Sequence, residues 1–214
     1  MKAADIVASP GIRNVDQSDA KLLADITADA FRNDPFNNWL FASHEAMHRT
    51  FEVLARHVYG REGFCQILEN EGEDRAAAMW MLPGGNLNTP LRAMPALYGG
   101  LFFNGGLAAL DRGKAAGEAM EAHHPTKPHA YLFTVGVKET GRGRGLGRNL
   151  VAPVLDAADR TGTMIYLENS NPANQGFYNS LGFRQIELFD AMQGSPPLEA
   201  MQREPGAATG GTNG

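Results

Sequence analysis

The chain has 214 residues, of which 43% are hydrophobic and 20% charged, a composition that suits one globular domain and excludes wholesale disorder. Nineteen Lys and Arg stand against 24 Asp and Glu, so the net charge of −5 gives no basic field to attract nucleic acid, and we expect none as a partner. The single cysteine, Cys65, excludes an intramolecular disulfide and a thiolate metal cluster, and it indicates a buried thiol in a reducing compartment.

The sequence contains neither an apolar run long enough to cross a bilayer nor a basic and then apolar leader. We therefore expect a cytoplasmic protein without a membrane partner. Residues 1–205 are expected to form one domain, with 12–128 as one half and 129–203 as the other. Residues 206–214 lack side chains that would order a backbone, which predicts a disordered tail.

The N-terminal half predicts a strand, two helices and an antiparallel pair of strands. Apolar periodicity and strand-like runs place these elements, in chain order, at 12–15, 18–31, 45–59, 64–68 and 76–82, with a polar hairpin connection before the last. Ser18 is expected to cap the first helix, and Asp34 with Pro35 to break the chain after it. The segment 89–121 has a helical pattern interrupted by Pro95 and two glycine pairs, which predicts two or more short helices with bends.

The C-terminal half predicts a βαβ unit with parallel strands, followed by a short helix and two more strands. Residues 130–137 form an apolar run typical of a strand buried on both faces, and a glycine-rich turn and a helix follow it. The remaining elements are predicted at 164–167, 172–180, 183–189 and 198–202.

The most informative segment lies between the first of these strands and its helix, where four glycines alternate with basic residues. It consists of Gly141, Arg142, Gly143, Arg144, Gly145, Leu146, Gly147 and Arg148. Glycines let a backbone approach a ligand with several N–H groups facing it, and a helix that begins there offers its positive end to an anion. Arginines add charge-assisted hydrogen bonds, so the segment predicts a pyrophosphate-binding loop rather than a solvated turn.

Two other phosphate-binding loops fit the spacing less well. A P-loop needs Lys and then Ser or Thr after its last glycine, but Arg148 and Asn149 stand there, which disfavours nucleoside triphosphate hydrolysis. Gly143-x-Gly145-x-x-Arg148 lacks the third glycine of a dinucleotide fingerprint, so a nicotinamide oxidoreductase is the weaker alternative.

Arg142-x-x-Gly145-x-Gly147, placed after an apolar strand, resembles the acyl-coenzyme A signature of the GCN5-related N-acetyltransferase (GNAT) superfamily. The segment 171–183, NPANQGFYNSLGF, is similar to the second conserved block of that family, and the two blocks have the family's separation. The resemblance is specific over 130–183, whereas 84–128 match nothing general. It implies an α/β (α+β) fold: a mixed, mostly antiparallel twisted sheet with a splayed central parallel pair, flanked by helices.

The resemblance also implies which residues bind acetyl-CoA. The strand would pair its backbone with the pantetheine arm, and the loop would bind the pyrophosphate. The implied contacts are Val135, Gly136, Val137, Arg142, Gly143, Arg144, Gly145, Leu146, Gly147, Arg148, Asn171, Asn174 and Tyr178. Gly136 suits a bulge or a close backbone approach. Asn171 can equally be only the N-cap ahead of Pro172.

Two residues are candidates for proton transfer. Tyr178 matches the family's general acid, which protonates the departing coenzyme A thiolate, although the same residue fits an amphipathic core position. Glu168 ends the second parallel strand, where it would deprotonate an ammonium substrate directly or through water. A salt bridge or an N-cap role for Glu168 is an equal alternative.

The acceptor side is predicted from aromatic and histidine residues in the variable segments. The expected substrate-binding residues, each of which also fits plain core, are Phe36, Trp39, Tyr98, Phe102 and His129. Residues 91–110 are a hypothetical lid in which Phe102 supplies the bulk. His123, His124 and His129 are close in sequence, but the intervening prolines prevent the spacing of a two-histidine site, so no metal is expected.

These features predict an N-acetyltransferase that transfers an acetyl group from acetyl-CoA to a primary amine of a small molecule or peptide by direct attack in a ternary complex. The alternative is a non-catalytic coenzyme A-binding sensor or scaffold module on the same fold. The sequence leaves the oligomeric state open between monomer and homodimer.

Overall fold

The computed structural model describes residues 1–69 and 75–207, so most of the predicted hairpin connection and of the predicted tail lies outside the described residues. The strands over these ranges are β1 (Ile12–Val15), β2 (Phe64–Glu69), β3 (Arg75–Met81), β4 (His129–Val137), β5 (Met164–Asn169), β6 (Arg184–Phe189) and β7 (Leu198–Arg203). The helices are α1 (Ala20–Ala30), α2 (Pro35–Leu40), α3 (His44–Leu54), the single turn α4 (Gly60–Glu62), α5 (Met94–His123), α6 (Leu146–Thr161) and α7 (Gln175–Ser180), with a π-helical turn joining α3 to α4.

The strands form one sheet in the order β1-β2-β3-β4-β5-β7-β6. β4 and β5 are parallel, and the other neighbouring strands are antiparallel. The predicted mixed, mostly antiparallel sheet with a central parallel pair is therefore confirmed. The parallel pairing runs only from His129–Met164 to Tyr131–Tyr166, and β4 and β5 diverge beyond it.

Helices cover both faces of the sheet, and each face has its own hydrophobic core. On one face α1, α3 and α5 pack around buried residues such as Leu23 and Met47. On the other face α6 contributes Leu150 to the core that also contains Trp80. Cys65 belongs to the first core, which confirms a buried thiol, and burial raises the pKa of that thiol to about 12.

The first two helices begin differently from the sequence prediction. Asp16, not Ser18, is the capping residue, because its carboxylate accepts the Ser18 backbone N–H in the 3-10 turn that leads into α1. Asp34 and Pro35, predicted as a break, begin the short helix α2. The Asp34 carboxylate caps it, and Pro35 occupies the first turn, where a missing N–H costs nothing.

The predicted short helices with bends correspond to α5, which consists of two helical stretches that meet at a kink. Gly106, with a φ of 63°, is the one described residue at which the backbone of α5 leaves helical geometry. Pro95 lies in the first turn, and the pair Gly99–Gly100 stays helical. The predicted bends are thus reduced to one. No helix in the described ranges is long and apolar enough to cross a bilayer.

A buried arginine ties the last strand to α6 and to the turn that follows α7. Arg203 is 1% exposed, and its Nη1 and Nη2 donate to the Asp159 carboxylate at 2.6 and 2.8 Å. Its Nε donates to the Leu181 carbonyl oxygen at 2.8 Å. Bidentate pairing of this kind fixes orientation as well as position, so it holds the segment that carries Tyr178.

Candidate active site

The site forms where β4 and β5 diverge. Beyond Tyr131 and Tyr166 the register between them ends, while β4 still pairs with β3 and β5 with β7. The edges that face each other, at 132–137 and 167–169, therefore open into a wedge. Unpaired strand edges carry backbone donors and acceptors, so an extended ligand fits between them as a substitute strand.

A bulge and a close helix contact shape β4 at this wedge. Met79 pairs with Thr134 and Trp80 with Leu132, so Phe133 is the extra residue of a bulge. Gly136 instead serves the close approach that the sequence prediction gave as its alternative, because a Cβ built there would lie 2.6 Å from the Cβ of Ala30 in α1. Only glycine lets α1 pack this closely beside the wedge.

The glycine loop presents backbone amides to the same opening. Gly143 and Gly145 have φ values of 77° and 74°, a region that favours glycine. Gly145 is the N-cap of α6, and no side chain caps the first turn of that helix. Uncapped first-turn N–H groups and the positive end of the helix dipole suit an anion, so the loop fits the diphosphate of a coenzyme A nucleotide.

Two arginines of the loop make hydrogen bonds within the protein. The Arg142 Nη2 donates to the Ala30 carbonyl oxygen at 2.8 Å, at the end of α1. The Arg148 Nη2 donates to the Ser180 Oγ at 2.6 Å, at the end of α7. Both still line the opening, whereas Arg144 is not among the described residues that do so. Arg142 and Arg148 thus brace the two helices that flank the loop.

The opening is a cleft of about 530 Å³, which we call the coenzyme cleft. All the predicted coenzyme residues except Arg144 line it, together with residues that the sequence analysis did not select: Ala30, Phe31, Asn33, Asp34, Gly141, Phe177 and Ser180. Asn171 lines the cleft and is also the N-cap of the turn that follows, where its Oδ1 accepts the Ala173 backbone N–H at 3.0 Å. Both of its predicted roles therefore have a structural basis.

A second cavity, of about 220 Å³, lies between the sheet and helices α2, α3 and α5; we call it the acceptor cavity. It shares Phe31, Val135, Asn174 and Tyr178 with the coenzyme cleft, so the two spaces meet at these residues. Glu168 lines the acceptor cavity and is the one charged residue among its described lining residues.

The predicted acceptor residues divide into two groups. Phe36 and Tyr98 line the acceptor cavity, whereas Trp39, Phe102 and His129 are not among its described lining residues. Trp39 packs on Phe36 with ring centroids 5.3 Å apart, and His129 bonds to the Lys127 carbonyl instead.

Phe102 is 45% exposed and is not among the described residues that line the cavity. Its neighbour Leu101 is buried and lines the cavity together with Leu97 and Tyr98. These three residues are therefore the part of the predicted lid segment that contributes to the cavity wall.

Tyr178 is 8% exposed at the junction of the two cavities. Burial, and next the negative charge of Asp34, raise the pKa of its phenol. The hydroxyl is consequently protonated at neutral pH, which is the state that a proton donor needs. The neighbouring core residues Phe177 and Phe183 fix the ring by edge contacts at 5.2 and 5.9 Å.

Asp34 is a buried carboxylate that the sequence analysis did not assign to the site. Its Oδ1 accepts from the backbone and side-chain nitrogens of Asn37, each at 2.8 Å, and its Oδ2 accepts from the Ser170 Oγ at 2.6 Å. Burial raises the pKa of this carboxyl, and the hydrogen bonds oppose that rise. The sequence Asp-Pro is a typical helix start, and that signal would have located a fixed carboxylate here.

Glu168 is enclosed, with a side chain that is 2% exposed. Its Oε1 has no hydrogen-bond partner and lies 3.8 Å from the His124 Nδ1, the distance of a weak ion pair. Burial, followed by the charge of Glu168, raises the pKa of both Tyr131 and Tyr166, so these phenols are neutral neighbours. The carboxylate therefore has unused acceptor capacity inside the acceptor cavity.

A second hydrogen-bond network holds the loop between β5 and α7. The Asn169 Nδ2 donates to one carboxylate oxygen of the buried Glu199 at 2.9 Å, and the Gln175 Nε2 donates to the other at 2.8 Å. The Asn171 backbone N–H donates to the Asn169 Oδ1 at 3.2 Å. This network holds the loop that leads from β5 to Tyr178 against β7. No local sequence signal indicates it.

The profile of the acetyltransferase (GNAT) family matches residues 88–183, across α5, the glycine loop and Tyr178. Over these residues the chain matches the GNAT superfamily, and its mixed sheet has the GNAT-like fold. The match begins at residue 88, so the expectation that 84–128 resemble nothing general is wrong. Acetyl transfer is the general chemistry that this match supports.

Two related proteins match different shares of this chain. An uncharacterized N-acetyltransferase of Schizosaccharomyces pombe is 27% identical over 210 residues, which are 90% of this chain and 83% of that protein. The N-alpha-acetyltransferase RimI of Mycobacterium tuberculosis is 39% identical over 66 residues, 29% of this chain and 40% of the relative.

A solved structure shares the fold. It is described as histone acetyltransferase HPA2 and related acetyltransferase from Corynebacterium glutamicum, with a TM-score of 0.68 and 24% identity, covering 94% of this chain and 99% of that one.

No three His, Cys, Asp or Glu side chains in the described part of the chain are grouped so as to hold a metal ion. The three neighbouring histidines have other partners. His123 stacks on Phe189 with ring centroids 4.0 Å apart, and its Nδ1 lies 2.9 Å from a Glu187 carboxylate oxygen. The Nε2 atoms of His124 and His129 lie 2.9 Å apart.

Proposed function

We propose that this chain is an acyl-CoA-dependent N-acyltransferase that moves the acetyl group of acetyl-CoA to a primary amine by direct attack in a ternary complex. The amine belongs to a small molecule or a peptide. One observation carries the proposal: the coenzyme cleft and the mostly apolar acceptor cavity lie side by side and share Tyr178 and Val135 in their linings. Two substrates held on either side of this junction are positioned for a single displacement, with no covalent enzyme intermediate.

The residues of the cleft have the chemistry to hold acetyl-CoA. The first-turn amides of α6 and the backbone of Gly143 and Gly145 would bind the diphosphate, while the edge of β4 at Val135 and Val137 would pair with the pantetheine arm. Acetyl-CoA supplies the activated acyl group. A β4 backbone amide at Val135 or Val137 would polarise the thioester carbonyl, and this preorganised dipole is aimed where negative charge develops.

Two buried side chains would carry the protons. Glu168 would accept a proton from the ammonium group of the acceptor, because its Oε1 lies in the cavity without a hydrogen-bond partner. Tyr178 would donate its phenolic proton to the departing sulfur, and its raised pKa keeps that proton in place until the thiolate forms. Burial of both groups excludes water, which favours acyl transfer over hydrolysis.

The test separates binding from catalysis. Calorimetry of the purified chain should detect acetyl-CoA binding that is much weaker for S-acetylpantetheine, because that ligand lacks the diphosphate. Tyr178→Phe should retain acetyl-CoA binding and lower kcat by about 10²- to 10⁴-fold. The control is Tyr59→Phe, which removes a core hydroxyl that is not among the described residues lining either space.

Equal heats from acetyl-CoA and S-acetylpantetheine, or none from either, would remove the coenzyme assignment. An unchanged kcat in Tyr178→Phe would remove the acid assignment alone. Tight acetyl-CoA binding with no turnover across a broad amine panel would favour the coenzyme A-binding sensor or scaffold.

A further inference from the structure

We propose, building on the acyltransferase assignment above, that the acceptor is a small primary amine with an apolar body, an aralkylamine or alkylamine, rather than a lysine side chain or a peptide terminus. The walls of the acceptor cavity carry the proposal. Aromatic and aliphatic side chains dominate them, among them Phe36, Phe41, Phe51, Leu54, Leu101 and Phe133.

The charge in the cavity specifies the other end of the acceptor. Glu168 is the one charged residue among the described lining residues, and its Oε1 is buried without a hydrogen-bond partner. An ammonium group placed there satisfies the carboxylate and is itself neutralised. The cavity thus offers one anion, Glu168, in a lining that is otherwise uncharged and mostly apolar over the described residues.

Peptides suit this cavity poorly. The peptide groups next to an N-terminus or around a lysine would enter a space walled by apolar side chains, where an amide without a hydrogen-bond partner is costly to bury. Two of the polar side chains in the described lining, the Asn37 amide and the Ser170 hydroxyl, already donate to Asp34. The other uncharged polar lining residues are Thr50, Tyr98, Thr134, Asn174 and Tyr178. A hydrocarbon body meets no such cost.

The size of the cavity sets the scale of the ligand. Its volume is about 220 Å³. A cavity of about 150 Å³ lined by Leu, Ile and Phe is known to bind benzene, so this one has room for a single ring and a short chain. Helix α5 covers it with Leu97, Tyr98 and Leu101, which favours a compact ligand over an extended one.

The experiment measures kcat/KM for straight-chain amines from propylamine to octylamine and for phenethylamine. A lysine-containing peptide and glycylglycine serve as the polar comparisons. Each added methylene should raise kcat/KM about fourfold until the cavity is full, since burial of one methylene is worth about 0.8 kcal/mol. Phenethylamine should exceed both polar comparisons at least about tenfold.

Leu101→Ala truncates a side chain of the cavity wall and so enlarges the cavity. The amine length at which kcat/KM stops rising should therefore increase. Leu107→Ala is the matched control, because Leu107 also lies in α5, is 71% exposed and is not among the described lining residues. Melting temperatures verify folding, and if Leu101→Ala folds poorly, Leu97→Ala tests the same wall at a less buried position.

Three outcomes overturn the proposal in distinguishable ways. Faster turnover of the peptides, or a kcat/KM that does not depend on chain length, refutes the apolar acceptor and leaves the acyltransferase assignment intact. Acetyl-CoA binding without acetylation of any amine refutes both and identifies a binding module. Absence of acetyl-CoA binding refutes the assignment on which the proposal rests.

Discussion

The contact between Gly136 and Ala30 is the sharpest test of how β4 is positioned beside the coenzyme cleft. A Cβ at Gly136 would lie 2.6 Å from the Ala30 Cβ, and two methyl carbons normally approach to about 3.5–4.0 Å. In Gly136→Ala, α1 must therefore move away from the sheet by about 1 Å. Both residues line the coenzyme cleft, so that movement also disturbs the edge that would bind the pantetheine arm.

Two opposing terms set the expected change in stability. Overpacking of a tight contact lowers the free energy of unfolding by about 1–3 kcal/mol. Replacing Gly by Ala lowers the conformational entropy of the unfolded chain and raises the free energy of unfolding by about 0.4–1 kcal/mol. We expect Gly136→Ala to lose about 1–2 kcal/mol in the free energy of unfolding. Ala30→Gly alone should cost about 0.5–1 kcal/mol, because Ala30 is the last residue of α1.

The double variant Gly136→Ala/Ala30→Gly removes the methyl that clashes, so the two changes should couple by about 1–2 kcal/mol. Urea unfolding of the wild type, the two single variants and the double variant measures this coupling energy. Calorimetry with acetyl-CoA should show the affinity lost in Gly136→Ala and recovered in the double variant. The control is Gly117→Ala in α5, where a Cβ meets nothing within 4 Å. A Gly136→Ala protein with the wild-type urea midpoint, or additive single changes, would refute the proposed packing.

Three further changes test other parts of the structure. Gly145→Ala places a side chain at a φ of 74° and should cost about 1–2 kcal/mol together with acetyl-CoA affinity, both measured as above; unchanged values would contradict the role of the loop. Asp159→Asn leaves the buried Arg203 uncompensated and should cost about 3 kcal/mol at pH 7. The hydrogen bonds from Arg203 lower the pKa of Asp159 in the folded state, so its contribution is complete above the unfolded value of 3.8 and is lost as pH falls through the folded value; unfolding curves of wild type and variant should converge in acid. Cys65, with its pKa near 12, should resist iodoacetamide at pH 8 in the native protein and react once urea unfolds it, and rapid native labelling would show that the thiol is accessible.

The coenzyme side could be predicted from the sequence because its signals are local. The apolar strand, the alternating glycines and the following helix are contiguous, and each glycine marks a backbone state or a close approach that no other residue adopts as readily. Tyr178 and Asn174 lie within one short segment of the chain. The sequence therefore predicts nearly all of the cleft lining that β4 and the glycine loop contribute, but only Tyr178 of the three lining residues in α7.

The acceptor cavity could not be predicted in the same way, because its walls come from helices far apart in the chain. The sequence predicts Phe102 where Leu101 lines the cavity, since one residue of error in helical phase turns a side chain by about 100°. Asp34 and Pro35 predict the end of α1, but the same two residues also begin α2. The network around Glu199 joins residues from β5, α7 and β7, and periodicity does not report such contacts.

Tyr178 and Glu168, the two buried residues proposed to transfer protons, differ in how their charge is balanced. This difference bears on when the acceptor amine binds relative to proton transfer. Tyr178 needs no partner while it stays neutral, because burial and Asp34 both oppose its ionisation. Glu168 lines an apolar space, and its Oε1 lacks a hydrogen-bond partner. A buried carboxylate is stabilised most by a cation placed against it. In the proposed reaction the acceptor ammonium would be the counter-ion of Glu168, and its binding would bring the amine to the proposed base in the same cavity that Tyr178, the proposed proton donor, also lines.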